Sequence, residues 1–160
     1  MMNTFEFAIK MEIDGEKYYS EQAEKNADTP MGKIFSILAK AEQKHAVLLS
    51  NRSKDLPSGG GDVEADAENV FTSLADFKID VSTIPNQLDV YRLALELEQK
   101  SIDLYTDLLS RADNDRDQHL LQFLIGQEKQ HYTLFEELVT LVQRPEDWVE
   151  HAEFGRRPEY

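Results

Sequence analysis

The sequence predicts an all-α protein, a four-helix bundle built from one helical hairpin used twice. Three observations carry this. Apolar positions recur at alternating steps of three and four through four long segments, which is the signature of helices burying one face. Residues of matching type recur at a single offset: Glu12/Glu98, Tyr19/Tyr105, Glu42/Glu128 and His45/His131 each lie 86 positions apart, as do Ala8/Ala94, Leu38/Leu124 and Leu48/Leu134. The ionisable members of these pairs interrupt the apolar seams instead of facing away from them.

The first helix is expected from Thr4 to about Ala27, with Phe5, Ala8, Glu12, Gly15 and Tyr19 on one face. Asp28-Thr29-Pro30 then stops one helix and starts the next, with Thr29 as N-cap and Pro30 at the first helical position. The second helix runs to about Arg52, its seam reading Met31, Phe35, Leu38, Glu42, His45 and Leu49. So short a connection makes the two helices antiparallel neighbours.

Residues 53–86 read as a long crossover containing the turn Pro57-Ser58-Gly59-Gly60-Gly61 and a short helix from Ala65 to Phe77. About 30 residues suffice to run the roughly 30 Å length of a bundle. The third helix spans about Gln87 to Arg111, with Tyr91, Ala94, Glu98, Ser101, Tyr105 and Leu108 facing inward. After the turn Asp113-Asn114-Asp115, the fourth runs from about Arg116 to Val142 with Leu121, Leu124, Glu128, His131, Phe135 and Leu138 inward. The bundle thus occupies 1–143, and 144–160 form a short tail in which Trp148, Val149, Ala152 and Phe154 suit docking on the bundle or on a second copy.

Composition excludes several function classes. With 31 acidic against 17 basic residues, the formal charge is −14, a surface that repels nucleic acid and anionic membranes. There are no cysteines in the 160 residues, so disulfides, thiolate zinc sites, iron-sulfur ligation and cysteine nucleophiles are all ruled out of this chain. The first ten residues lack both a basic region and a long apolar run, and a cytoplasmic location is expected.

Glu42-Gln43-Lys44-His45 and Glu128-Lys129-Gln130-His131 are twin Glu-x-x-His units, each placing carboxylate and imidazole one helical turn apart on the same face. Four carboxylates and two imidazoles buried together repel and lose hydration, at several kcal/mol per uncompensated charge, unless a cation joins them. Two divalent ions match four carboxylates, so the charge tally points to a dinuclear metal centre held by Glu12, Glu42, His45, Glu98, Glu128 and His131. Carboxylates with one imidazole per ion suit iron or manganese better than copper, with zinc as a possible substitute. His119, off the seam, and His151, in the tail, are expected to stay out of the centre, and Glu96 and Asp103 to face solvent.

The stretches Met11 to Tyr19, Ala41 to His45, Leu97 to Tyr105 and Gln127 to His131 resemble the rubrerythrin-like branch of the ferritin-like superfamily, a likeness that covers residues 4–143. The resemblance implies a ferritin-like bundle with two non-haem iron ions, reducing hydrogen peroxide or dioxygen as ferrous iron is oxidised. In the ferritin-like layout, one Glu comes from each of two helices and a Glu-x-x-His unit from each of the others. Glu42 and Glu128 would then bridge, Glu12 and Glu98 would be terminal, and Tyr19 and Tyr105 would hydrogen-bond ligand carboxylates. Typical rubrerythrins also carry a rubredoxin-like domain with four cysteines and a further glutamate three residues after the first on the third helix. Here that position is Ser101, and an external electron donor such as a rubredoxin-like protein is implied. A homodimer or higher homo-oligomer is expected, and the rival function is iron binding or storage without sustained turnover.

Overall fold

The computed structural model describes residues 4–54 and 81–143, in which four helices form the bundle. They are α1 (Thr4–Lys25), α2 (Pro30–Ser53), α3 (Leu88–Arg111) and α4 (Asp115–Gln143), with one turn of 3-10 helix at Val81–Thr83 before α3. The expected short helix at 65–77 and the tail from 144 lie outside the described residues. Helix limits differ from the sequence expectation by one or two residues, the usual scatter at fraying ends.

Local chemistry explains where the helices begin and stop. Thr29 sits in extended backbone ahead of Pro30, as an N-cap should, yet its hydroxyl makes no capping bond and donates back to the Asn26 carbonyl at 3.0 Å. At the other hairpin Asn114 caps α4 outright: its Oδ1 accepts the Asp117 backbone N–H at 2.8 Å, while its Nδ2 donates to the Asp117 carboxylate at 3.0 Å. Asp117 is held below the usual carboxylate range, first by its hydrogen bond from Arg52. That guanidinium reaches from the end of α2 with both Nε and Nη2, and lies 5.3 Å from the Phe5 ring centre on α1. One end of the bundle is thereby tied together.

At the opposite end the tie is neutral. Asn26 closes α1 through its Nδ2 on the Gln22 carbonyl at 2.8 Å, and its Oδ1 accepts from Gln87 Nε2 at 2.8 Å. Tyr18 donates to the Val90 carbonyl at 3.0 Å and Tyr91 to the Pro85 carbonyl at 2.9 Å. These bonds fix the start of α3 against the α1–α2 turn.

Close packing is concentrated within each hairpin, α1 on α2 and α3 on α4, whereas α1 and α3 meet sparsely. The seams of all four helices form two apolar clusters. One holds Tyr19, Met31, Phe35, Leu38, Tyr91, Phe135 and Leu138; the other holds Ala8, Leu48, Leu49, Tyr105, Leu121 and Leu124. Along each helix the ionisable pair positions fall between the two clusters. Helix α2 ends beside the second cluster and α3 begins beside the first, so the two helices run parallel and their termini lie at opposite ends of the bundle.

Gly32 is required by a close approach in the first hairpin. A Cβ built there would lie 2.5 Å from the Asn26 carbonyl oxygen, whereas one at Gly126 on α4 would meet nothing within 4 Å. Gly32→Ala is expected to destabilise the fold by about 1–3 kcal/mol, and Gly126→Ala to stabilise it by up to about 1 kcal/mol. Urea denaturation followed by circular dichroism reads both.

Candidate metal centre

The four helices bring all six sequence-predicted side chains to one place. Glu12 is 1% exposed, Glu42 4%, Glu98 3%, and His45, Glu128 and His131 1% or less, although a carboxylate or imidazole is normally kept in water. Each comes from the seam position of its helix, one turn from leucines and aromatics above and below. His119 is exposed on α4 away from this group, and Glu96 and Asp103 face solvent.

Both imidazoles turn Nδ1 toward the carboxylates. His45 Nδ1 lies 3.1 Å from Glu128 Oε1 and 3.4 Å from Glu12 Oε2. His131 Nδ1 lies 3.2 Å from Glu42, 3.3 Å from Glu128 and 3.4 Å from Glu98. Each imidazole thus reaches the glutamate of the opposite hairpin's Glu-x-x-His unit more closely than, or as closely as, its own. The two rings are nearly parallel, with centroids 6.0 Å apart. Tyr19 donates its hydroxyl to Glu98 and Tyr105 donates to Glu12, again across the hairpins. Burial, then the adjacent carboxylates, push both phenols well above their ordinary range, so they remain proton donors at any physiological pH.

Two overlapping groups of potential metal donors result: Glu12, Glu42, His45 and Glu128, and Glu42, Glu98, Glu128 and His131, each with ligand atoms within 4.8 Å of one another. Glu42 and Glu128 belong to both. Two of the carboxylate oxygens, Glu12 Oε2 and Glu128 Oε2, are buried with no hydrogen-bond partner. Each faces an imidazole Nδ1, at 3.4 and 3.3 Å, without a hydrogen bond to it, and a metal ion among them would supply the direct partner that their lone pairs lack. The residues present therefore fit a pair of divalent ions.

Without metal the cluster balances its charge with protons. Burial, and then the neighbouring Glu12 charge, raise Glu42 and Glu128 well above the usual carboxylate range, so they hold protons. Burial also opposes ionisation of Glu12 and Glu98, but His45 brings Glu12 down to about 2, and His131 brings Glu98 below its ordinary value. The histidines, which burial alone would depress, are raised, His45 chiefly by Glu12 and His131 chiefly by Glu98. These directions favour protons on Glu42, Glu128 and both imidazoles and negative charge on Glu12 and Glu98, a set whose net charge is zero. Two divalent ions would replace four protons without changing that balance.

Sequence reasoning missed one member of the site. Gln127, 6% exposed on α4, places Oε1 3.4 Å from His45 Nε2. In the neutral imidazole that would hold a metal, a proton on Nε2 donated to that amide would leave the Nδ1 lone pair for the ion, the outer support that metal-binding imidazoles commonly have. At the offset of 86 its counterpart is Ala41, which has no amide to offer. The signal available in the sequence was this break in the repeat beside Glu128.

The aromatic surroundings differ between halves as well. Tyr19 stacks on Phe135 at 5.7 Å and on Phe35 at 6.1 Å, and Tyr18 meets it edge-on at 5.7 Å. The corresponding positions around Tyr105 are Leu49, Leu121 and Leu104. The same tyrosine–carboxylate bond is set in aromatic packing on one side and in aliphatic packing on the other.

A bundle of this topology, with carboxylates and histidines at its centre, defines the class of ferritin-like dinuclear metal proteins. The family model Rubrerythrin matches residues 3–139, and the chain belongs to that family. No curated protein and no solved structure matches the chain at a significant level.

Removing metal should expose the protonic balance. Glu42 and Glu128, with raised folded values, contribute stability that is full below the ordinary 4.5 and declines as pH rises above it; the histidines do the same above 6.5. Glu12 acts in the opposite sense, losing its contribution as pH falls from 4.5 toward about 2. The chelator-treated protein should therefore melt at progressively lower temperature from about pH 5 to pH 8, and metal loading should flatten that slope. Scanning calorimetry with and without chelator measures it. In a second test, Gln127→Leu should weaken metal binding about 10–100-fold, read by competition with a chelating dye.

Proposed function

We propose that the protein is a di-iron oxidoreductase that reduces hydrogen peroxide or dioxygen while oxidising ferrous iron. The observation that supports this most directly is the sharing of Glu42 and Glu128 by two otherwise separate donor groups, one completed by Glu12 and His45, the other by Glu98 and His131. Shared carboxylates are what two adjacent ions require, and a set of oxygens with one imidazole per ion suits iron or manganese. Membership of the Rubrerythrin family supports iron as the metal.

Two iron ions held there would supply two one-electron oxidations, the pair of electrons that cleavage of one O–O bond needs. The protein's own groups set the conditions for it. Glu42 and Glu128, common to both donor groups, would be shared by the two ions, and Glu12 and Glu98 would each serve one. The hydroxyls of Tyr19 and Tyr105 orient Glu98 and Glu12 and favour their ionised forms. Gln127 fixes the orientation of His45. The two apolar clusters close the centre above and below, which keeps water from competing for it. Because the 160 residues contain no cysteine, sustained turnover draws electrons from a donor outside them, such as a rubredoxin-like protein.

Anaerobic titration should bind about two ferrous ions per chain, and Glu128→Ala, which removes a shared carboxylate, should lower that to one or fewer. A stoichiometry still near two in the variant refutes the assignment. Rapid mixing of the ferrous protein with peroxide or with air identifies the preferred oxidant. Repeated oxidation on adding reductant separates an enzyme from a single-use iron store.

A further inference from the structure

A cavity of about 170 Å³ lies between α1 and α3. Its walls carry residues that are partners at the offset of 86: Met11 with Leu97, Gly15 with Ser101, and Asp14 with Lys100. Tyr19, Glu42 and Glu98 complete the lining without their repeat equivalents Tyr105, Glu128 and Glu12, so the pocket belongs to one side of the centre. Its floor is formed by Glu42 and Glu98, which are also the two most exposed carboxylates of the cluster at 4% and 3%. It therefore opens on the donor group of Glu42, Glu98, Glu128 and His131, to which both belong.

Two small residues create this opening. A Cβ at Gly15 would lie 3.5 Å from Glu42 Oε2, so any side chain larger than methyl would cover that carboxylate. Ser101 stands opposite and is buried, a small polar side chain at the pocket wall. The lining is mainly apolar, with Lys100 and Asp14, the latter paired with Lys10 at 3.0 Å, at the exposed rim. The space is far above the ~10–15 Å³ that one water needs, and an apolar wall gives water little to bind. An anion would lose hydration against that wall and be repelled by the carboxylates at the floor, and a cation would lose its hydration along the same apolar wall. A small neutral molecule with one polar end and one apolar end satisfies both surfaces.

We propose that this cavity holds a small organic hydroperoxide, its alkyl group against Met11 and Leu97, its O–O group toward Glu42 and Glu98, and Ser101 offering a hydrogen bond. The assignment rests on the redox reading above. Reduction of such a substrate breaks the O–O bond, consumes two protons and two electrons, and releases an alcohol and water. The electrons come from two ferrous ions, each oxidised to ferric.

The test uses the full chain loaded with zinc and labelled at the methionine methyls, with tert-butanol as the probe. A saturable shift of the Met11 methyl resonance is expected, with Met31, fully buried in the first apolar cluster, unmoved. Ser101→Leu should abolish the shift and Ser101→Ala should keep it. With ferrous protein, tert-butyl hydroperoxide should oxidise the iron, and Ser101→Leu should slow it about tenfold more than it slows hydrogen peroxide. Absence of a Met11 shift in the unmodified chain, or its survival in Ser101→Leu, overturns the proposal. Reaction with hydrogen peroxide but not tert-butyl hydroperoxide overturns the substrate assignment alone; reaction with neither overturns the redox reading beneath it.

Discussion

The structure depends on keeping four carboxylates and two imidazoles dry at the middle of a bundle. Such a group is unfavourable by several kcal/mol per uncompensated charge, so every neighbouring choice serves to compensate it. Two tyrosines from opposite hairpins donate to the carboxylates that no Glu-x-x-His unit contains. Each imidazole bridges to the glutamate of the other hairpin. The compensation runs across the repeat, which is why neither hairpin alone could build the centre, and why the cluster itself fastens one hairpin to the other. The apolar clusters on either side supply the burial that raises the stakes.

Internal symmetry supplies the ligands in pairs, but the surroundings have diverged. Gln127 supports His45 where Ala41 stands in the other repeat, and Phe35 and Phe135 pack Tyr19 where Leu121 and Leu49 stand near Tyr105. The two ends of the bundle differ as well: Arg52 and Asp117 form a charged clasp at one, and Asn26 and Gln87 a neutral one at the other. Neighbouring dipoles and ring packing tune ligand basicity, so the two donor groups are chemically distinct although their ligands match. The opening between α1 and α3 shares this divergence: its repeat-related pairs are Met11 and Leu97, Gly15 and Ser101, and Asp14 and Lys100, and it reaches Glu42 and Glu98 but not their equivalents Glu128 and Glu12.

The residues of the centre were legible in the sequence because a buried seam has a period, and ionisable residues that keep to it must be buried too. Glu12, Glu42, His45, Glu98, Glu128 and His131 could be named from that alone, and the offset of 86 made coincidence untenable. The four helices and their order were equally legible, from the 3-4 pattern, from Pro30 at the start of α2 and from the turn Asp113-Asn114-Asp115 before α4. Thr29 was read correctly as an N-cap position, but its side chain bonds backward, a choice between two nearby partners that spacing does not decide.

What the sequence determined by itself, then, is composition along each helix: which face is buried, and which chemistry lies on it. Tertiary structure alone decided how those faces meet. The pairing of His45 with Glu128, the arrival of Gln127 at His45, the division between protonated and ionised carboxylates, and the opening beside Gly15 and Ser101 all depend on distances between helices. Helical periodicity is a property of one chain segment and is written in it locally. Distances of a few ångströms between segments arise only when four faces are packed together, and those distances set both the proton balance and the access to the centre.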